Sequence, residues 1–360
     1  MSSLPRLRWG LYAPLAIAGL LFLGYSVAWM QTAAKVAADV EAWSADQRGA
    51  GKDASYAAIK RAGFPFFLRI VLEEPRLAGA PAANGGPAWS WRADRLTLNA
   101  TPFNPNHVVA SAKGEQRVTM APGALRGEDI VWAIEAEAAR ASLNRMGDAE
   151  QRLRVSFANG VARRMDDGLI AGALGFEELA LHLETNPEGE AALGDGALIG
   201  AQGKNLQIAV GSDLVGDASF DLASVTAAGF VTEARSIDLT RLASGAVADW
   251  AEQGGRIEVR HFEIADRSVG LSATGDLTVG PDGHLTGDLA ASLRNPGGVA
   301  DILAARSGLP KDTVEGVRAA LVLMALASGG ESGALKADLA FADGAARLGP
   351  LELFEVPTLF

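Results

Sequence analysis

The chain has 360 residues, 32 basic against 43 acidic side chains, no cysteine and an apolar fraction of 49%. That apolar content at 21% charge excludes a disordered chain, and zero cysteine removes disulfide frameworks, thiolate metal sites, iron–sulfur clusters and cysteine nucleophiles together. A net charge of −11 argues against a nucleic-acid partner, because phosphate contact needs a basic face, and 42 glycines with 15 prolines predict many turns and many short strands.

Residues 11–30, LYAPLAIAGLLFLGYSVAWM, carry no charge and are long enough to cross a hydrocarbon core of about 30 Å. Leu11, Leu15, Ile17, Leu20, Leu21, Phe22, Leu23 and Val27 are strongly inserting types. At roughly 0.3–0.6 kcal/mol each they favour insertion by about 2.5–5 kcal/mol. Leu11, Leu20, Phe22 and Val27 stand for the anchor. Trp9, Tyr12, Tyr25 and Trp29 lie near the two ends, where amphipathic rings prefer the headgroup level. Arg6 and Arg8 predict a cytoplasmic tail over 1–10, so the following domain is expected on the far side of the membrane, outside the cytoplasm. A cleaved signal peptide is the alternative, with Ser26-Val27-Ala28 as its small-x-small site. The apolar run exceeds the usual 7–15 residues and Trp29-Met30 continues it, which favours a single-pass signal anchor.

Residues 31–48 read as a helix with Val36, Val40 and Trp43 at helical spacing, ended by Gly49-Ala50-Gly51, within a juxtamembrane stalk over 31–62. After Gly63, the segment Phe64–Leu72 reads as a strand. Trp89 and Trp91, then Leu179, Leu181 and Leu183, then Leu285, Leu289, Ala291 and Leu293 alternate with more polar neighbours. That pattern gives an antiparallel sheet with one dry face. Phe157-Ala158-Asn159-Gly160-Val161-Ala162-Arg163 and Phe341-Ala342-Asp343-Gly344-Ala345-Ala346-Arg347 are nearly the same phrase and predict hairpin turns, as does Pro281-Asp282-Gly283-His284. Helices are expected at Thr240–Gln253, Val299–Ser307 and Asp312–Ala327. The second half of the last is apolar all round and is expected to be covered on every side. The fold class is therefore mainly β (α+β): an extended, curved antiparallel sheet of hairpins in two related halves, 63–235 and 236–360, with a few packing helices.

No catalytic pattern stands out. His107, His182, His261 and His284 are far apart and form no i, i+4 pair. Gly194–Gly200, Gly203-Lys204-Asn205 and Gly330–Ala334 miss the dinucleotide, phosphate-loop and nucleophile-elbow spacings and read as turns. Asp166-Asp167-Gly168 also reads as a turn, and Arg163-Arg164 is too small a basic cluster for a polyanion. The expectation is a protein without enzymatic activity, metal or cofactor.

Several phrases nonetheless stand together: the amino-terminal span, Gly63-Phe64-Pro65-Phe66, Asn104-Pro105-Asn106-His107, and Trp250 followed by Gly254-Gly255 and Arg256–Val259. Gly275-Asp276-Leu277, Asp282-Gly283, Leu348-Gly349-Pro350 and Val356-Pro357 continue the series. On these phrases the chain resembles domain of unknown function 2125, an uncharacterised family found mainly in alphaproteobacteria. The resemblance implies no catalytic residue. The architecture is similar to AsmA-like proteins, whose anchor and curved periplasmic sheet are associated with lipid traffic and envelope assembly. Gly63, Phe64, Pro65, Phe66, Asn104, Pro105, His107, Trp250, Gly254, Gly255, Gly349 and Pro350 are expected to fix strand ends and corners. Two functional readings follow. In one, a dry sheet groove holds lipid or another amphiphile. In the other, a scaffold for an envelope or secretion complex works through its sheet edges.

Overall fold

The computed structural model describes residues 9–79, 89–101, 104–120, 130–145, 151–166, 169–185, 196–210, 218–234, 250–266, 269–298, 311–327, 334–348, 351–356 and 358. Helix α1 runs unbroken over Trp9–Gly49, about 60 Å at 1.5 Å per residue. Pro14 sits near its start, where a missing N–H costs little. Its front half stands clear of the sheet, with Leu15, Leu20, Leu21, Phe22 and Val27 exposed. Its back half does not lift the domain away as a stalk. Trp29, Ala33, Ala37 and Ser44 are buried at nearly four-residue spacing, and Val36 and Val40 join them against strands of the sheet. The two alanines let the helix approach closely, while Trp43, expected on this face, is exposed. Beyond Gly49 the expected stalk is strand: β1 (Asp53–Ser55) and β2 (Ala58–Ala62) already belong to the sheet.

The remaining strands are β3 (Leu68–Glu73), β4 (Arg76–Ala78), β5 (Trp89–Arg92), β6 (Arg95–Thr101), β7 (Asn104–Lys113), β8 (Gln116–Met120) and β9 (Ile130–Arg145). They continue as β10 (Gln151–Asp166), β11 (Leu169–Thr185), β12 (Ala197–Val210), β13 (Ala218–Val231) and β14 (Arg256–Ala265). The last are β15 (Gly270–Val279), β16 (Leu285–Arg294), β17 (Leu335–Ala342), β18 (Ala345–Leu348) and β19 (Leu351–Glu355), with helix α2 (Lys311–Ala327) before β17. All pairings are antiparallel. From β9 to β19 each strand pairs with the next, a single meander.

At β9 the sheet forks. The carboxyl half of β9 pairs with β7, which continues through β6 and β3 to β2. Its amino half pairs with β8, which continues through β5 and β4 to β1. The sheet is curved and does not close. β13 pairs with β14 across the expected boundary at 235/236, so the sheet continues without a break between the halves.

Several expectations change. The central strands β9–β13 are long, 14–17 residues, and glycines such as Gly160, Gly172, Gly200 and Gly229 lie inside them rather than in turns. Phe64-Pro65-Phe66 is a turn with a cis Phe64–Pro65 peptide, and the strand begins only at Leu68. Asn159-Gly160 lies in the middle of β10 instead of in a hairpin, and Gly203-Lys204-Asn205 lies in β12 instead of in a turn. Asp343-Gly344 does make the β17–β18 turn, with φ of 53° and 72°. Gly280–His284 turns β15 into β16. Helix α2 buries only one side: Leu321 and Ala325 pack on Leu293, Leu335 and Leu339, while Leu323 and Leu326 are exposed. Residues 240–249 and 299–307, together with Gly349 and Pro350, lie outside the described residues.

Candidate functional site

In an antiparallel sheet, directly opposed residues share a face, so a partner can be followed from strand to strand. Ile70 of β3 opposes Leu98, then Ala110, Ala141, Val155, Leu181, Ala201, Ala227, Phe262, Ala273, Ala291 and finally Ala337 of β17. A second row starts at Leu68 and passes through Ala100, Val108, Leu143, Leu153, Leu183, Ile199 and Gly229. The third starts at Leu72 and passes through Leu96, Ala112, Ala139, Phe157, Leu179, Gly203 and Val225. Every member is apolar or glycine. At about 4.8 Å per strand the longest row covers roughly 50 Å of sheet.

Both ends of this face are covered. At the first, Trp29, Ala33 and Ala37 of α1 sit on Leu68, Ile70 and Leu72. At the other, Leu321 and Ala325 of α2 sit on the rows from β15 to β17. The middle is open. Leu181 is 57% and Ile199 40% exposed, and a trough of about 290 Å³ lies over Val155, Phe157, Leu179, Leu181, Leu206 and Val225. That volume is near the lower end for ligand pockets, about 300 Å³.

One side of the trough is built by an irregularity shared across strands. Asn159 in β10 and Asn205 in β12 have φ of 48° and 46°, and the pairing ladder skips both. One left-handed residue shifts the side-chain alternation by one place. Phe157 and Ala162 therefore reach the same cluster, as do Leu179 with Phe176 and Val225 with Leu222. Gly160 leaves room for the ring of Phe176, whose Cζ would lie 2.7 Å from a Cβ there. The asparagines are held on the opposite face: Asn159 Nδ2 donates to Glu137 at 2.8 Å, and Asn205 donates to Glu177.

That opposite face is polar. Lys204 pairs with Glu178 at 2.6 Å, Arg152 with Glu184 at 2.7 Å, and Arg163 with Glu135 at 3.0 Å. The Lys204 ammonium, bonded to Glu178, holds that carboxyl below its ordinary value; Arg95 and then Lys60 do the same to Glu73. In most of these pairs an exposed base meets a half-buried carboxylate on the solvent side of the sheet, and such surface pairs contribute little stability. His107 Nε2 lies 2.9 Å from Ser142 Oγ, and His182 and His261 lie beside Glu184 and Glu263. Among the described residues no three histidine, aspartate or glutamate side chains are placed to hold a metal ion.

The residues singled out in the sequence are scattered rather than gathered into one site. Leu20, Phe22 and Val27 are exposed along α1, and the side chain of Leu11 is outside the described set. Gly63 has a φ of 98°, and Phe64, Pro65 and Phe66 make the turn beside α1. Asn104 opens β7 at an irregular step opposite Thr101, with Pro105 and His107 following. Trp250 is buried and donates Nε1–H to the Thr232 carbonyl at 2.7 Å. Its own carbonyl accepts from the Gly255 N–H at 3.0 Å, with Gly254 at φ 81° ending that turn. The apolar rows are not visible in the sequence, because opposition between distant strands is not written in a single stretch of chain.

No curated protein and no solved structure matches the chain. A family model described as an uncharacterized protein conserved in bacteria matches residues 29–357. With that match covering nearly the whole sheet and the back half of α1, the chain belongs to the DUF2125 family.

Proposed function

We propose that this protein is a membrane-tethered, non-enzymatic carrier that holds the acyl chains of a lipid or similar amphiphile on the open middle of its dry sheet face. The carrying observation is the set of three apolar rows, covered by helices at both ends and open over β10–β13. An unpaired apolar face in water is unfavourable by about 25 cal/mol per Å², and a hydrocarbon chain laid across it removes that term. The uncharged front half of α1 is the tether. With Arg6 and Arg8 on the cytoplasmic side, the sheet occupies the periplasm of a bacterial inner membrane, where a lipid carrier serves envelope assembly.

Detergent-solubilised, delipidated full-length protein should take up a fluorescent fatty acid at a stoichiometric ratio. Leu181→Asp alters an exposed floor residue and leaves the polar face untouched. Loss of contact with about two methylenes, at about 0.8 kcal/mol each, weakens uptake roughly tenfold. Uptake unchanged by that substitution, or absent from the parent protein, overturns the reading.

A further inference from the structure

The turn between β2 and β3 is tied to the apolar half of α1 by four contacts. Phe64 packs edge-on against Phe22, ring centroids 6.0 Å apart, and against Trp29 at 5.3 Å. The Tyr25 hydroxyl donates to the Pro65 carbonyl, and Trp29 Nε1–H donates to the Phe67 carbonyl at 3.2 Å. The turn is closed on itself by Phe67 N–H to the Gly63 carbonyl at 2.9 Å, with Gly63 at φ 98°. Tyr25 and Trp29, expected as headgroup rings, are the brackets that hold this turn.

The fixed turn leaves its aromatic side chains uncovered by protein: Phe66 is 74%, Phe67 47% and Phe64 45% exposed. Its level is set by its partners. Phe22, Tyr25 and Trp29 lie eight, five and one residues before Met30, the end of the apolar run, about 12, 7.5 and 1.5 Å along the helix axis at 1.5 Å per residue. Arg61 and Arg69, both exposed, flank the turn on β2 and β3 and suit an anionic headgroup layer.

We propose that Phe64-Pro65-Phe66-Phe67 is a wedge inserted into the leaflet through which α1 leaves the bilayer, with Phe66 in hydrocarbon. This rests on reading α1 as the membrane span. Leu68, the first member of an apolar row, follows the wedge directly, so the dry face begins at the bilayer surface, here beneath α1.

The absence of native cysteine allows single-site labelling. Phe66→Cys, and as a control Asp282→Cys in the β15–β16 turn, each carry a nitroxide in the full chain reconstituted into phosphatidylcholine–phosphatidylglycerol vesicles. The label at 66 should collide severalfold less with a water-soluble nickel chelate and more with oxygen than the label at 282. Equal nickel accessibility at the two sites overturns the wedge, and so does a label at 66 shielded from both reagents, which means a protein covers it. The same labelled proteins, tested in detergent for fatty-acid uptake, separate the two ideas: uptake without insertion removes only the wedge, and insertion without uptake removes only the carrier.

Discussion

Gly160 follows the left-handed Asn159 and lies under the Phe176 ring, so one residue pair sets the packing of the cluster beside the trough. A methyl at 160 would meet Phe176 at 2.7 Å, and the ring has nowhere to retreat because it is 5% exposed. Gly160→Ala should therefore destabilise the protein by about 1–3 kcal/mol, as overpacking does. A chemical-denaturation midpoint lower than the parent's checks this, and an unchanged midpoint contradicts the packing described. Asparagine followed by glycine is locally a turn signal. In β10 the neighbours β9 and β11 pair on both sides of it and keep the strand extended, so tertiary pairing outweighs the local preference.

At the level of elements, α1 and α2 both show apolar sequence but use it differently. The second half of α2 reads as apolar all round, and composition alone cannot say which side a sheet will cover. Leu321 is 3% exposed against the rows of β15–β17, and Leu326 is 74% exposed. Leu321→Ala should cost about 2–5 kcal/mol, whereas Leu326→Ala should stay within about 0.5 kcal/mol. Thermal midpoints of the two variants measure the contrast, and equal shifts would mean that α2 is covered on both sides. Helix α1 is legible as a span from its uncharged run, and its docking face only in part. Only part of that face is written as a pattern: Val36 and Val40 at helical spacing do pack on the sheet, while Ala33 and Ala37, which carry no amphipathic signal, permit the close approach to β3.

Across the whole molecule, each strand from β9 onward touches mainly its neighbours, and the buried clusters at β10–β12 and at β15–β18 share no member. Such quasi-linear assemblies lose cooperativity along their length. Hydrogen exchange should show the α2-covered end and the central strands opening with different free energies. A single shared opening energy for all strands would contradict that picture.

An antiparallel sheet with one dry face is legible in Leu179-Leu181-Leu183 and in Leu285–Leu293, because alternation is a property of neighbouring residues. The anchor, for the same reason, is written in consecutive residues 11–30. The fork at β9, the alignment of Leu68, Ile70 and Leu72 in rows with Leu183, Leu181 and Leu179 a hundred or more residues away, and the docking of the 64–67 turn on Phe22 and Trp29 are different in kind. They depend on register between distant strands and on which faces meet. Those are fixed by the free energy of burying the whole face at once, a quantity no local stretch of chain contains.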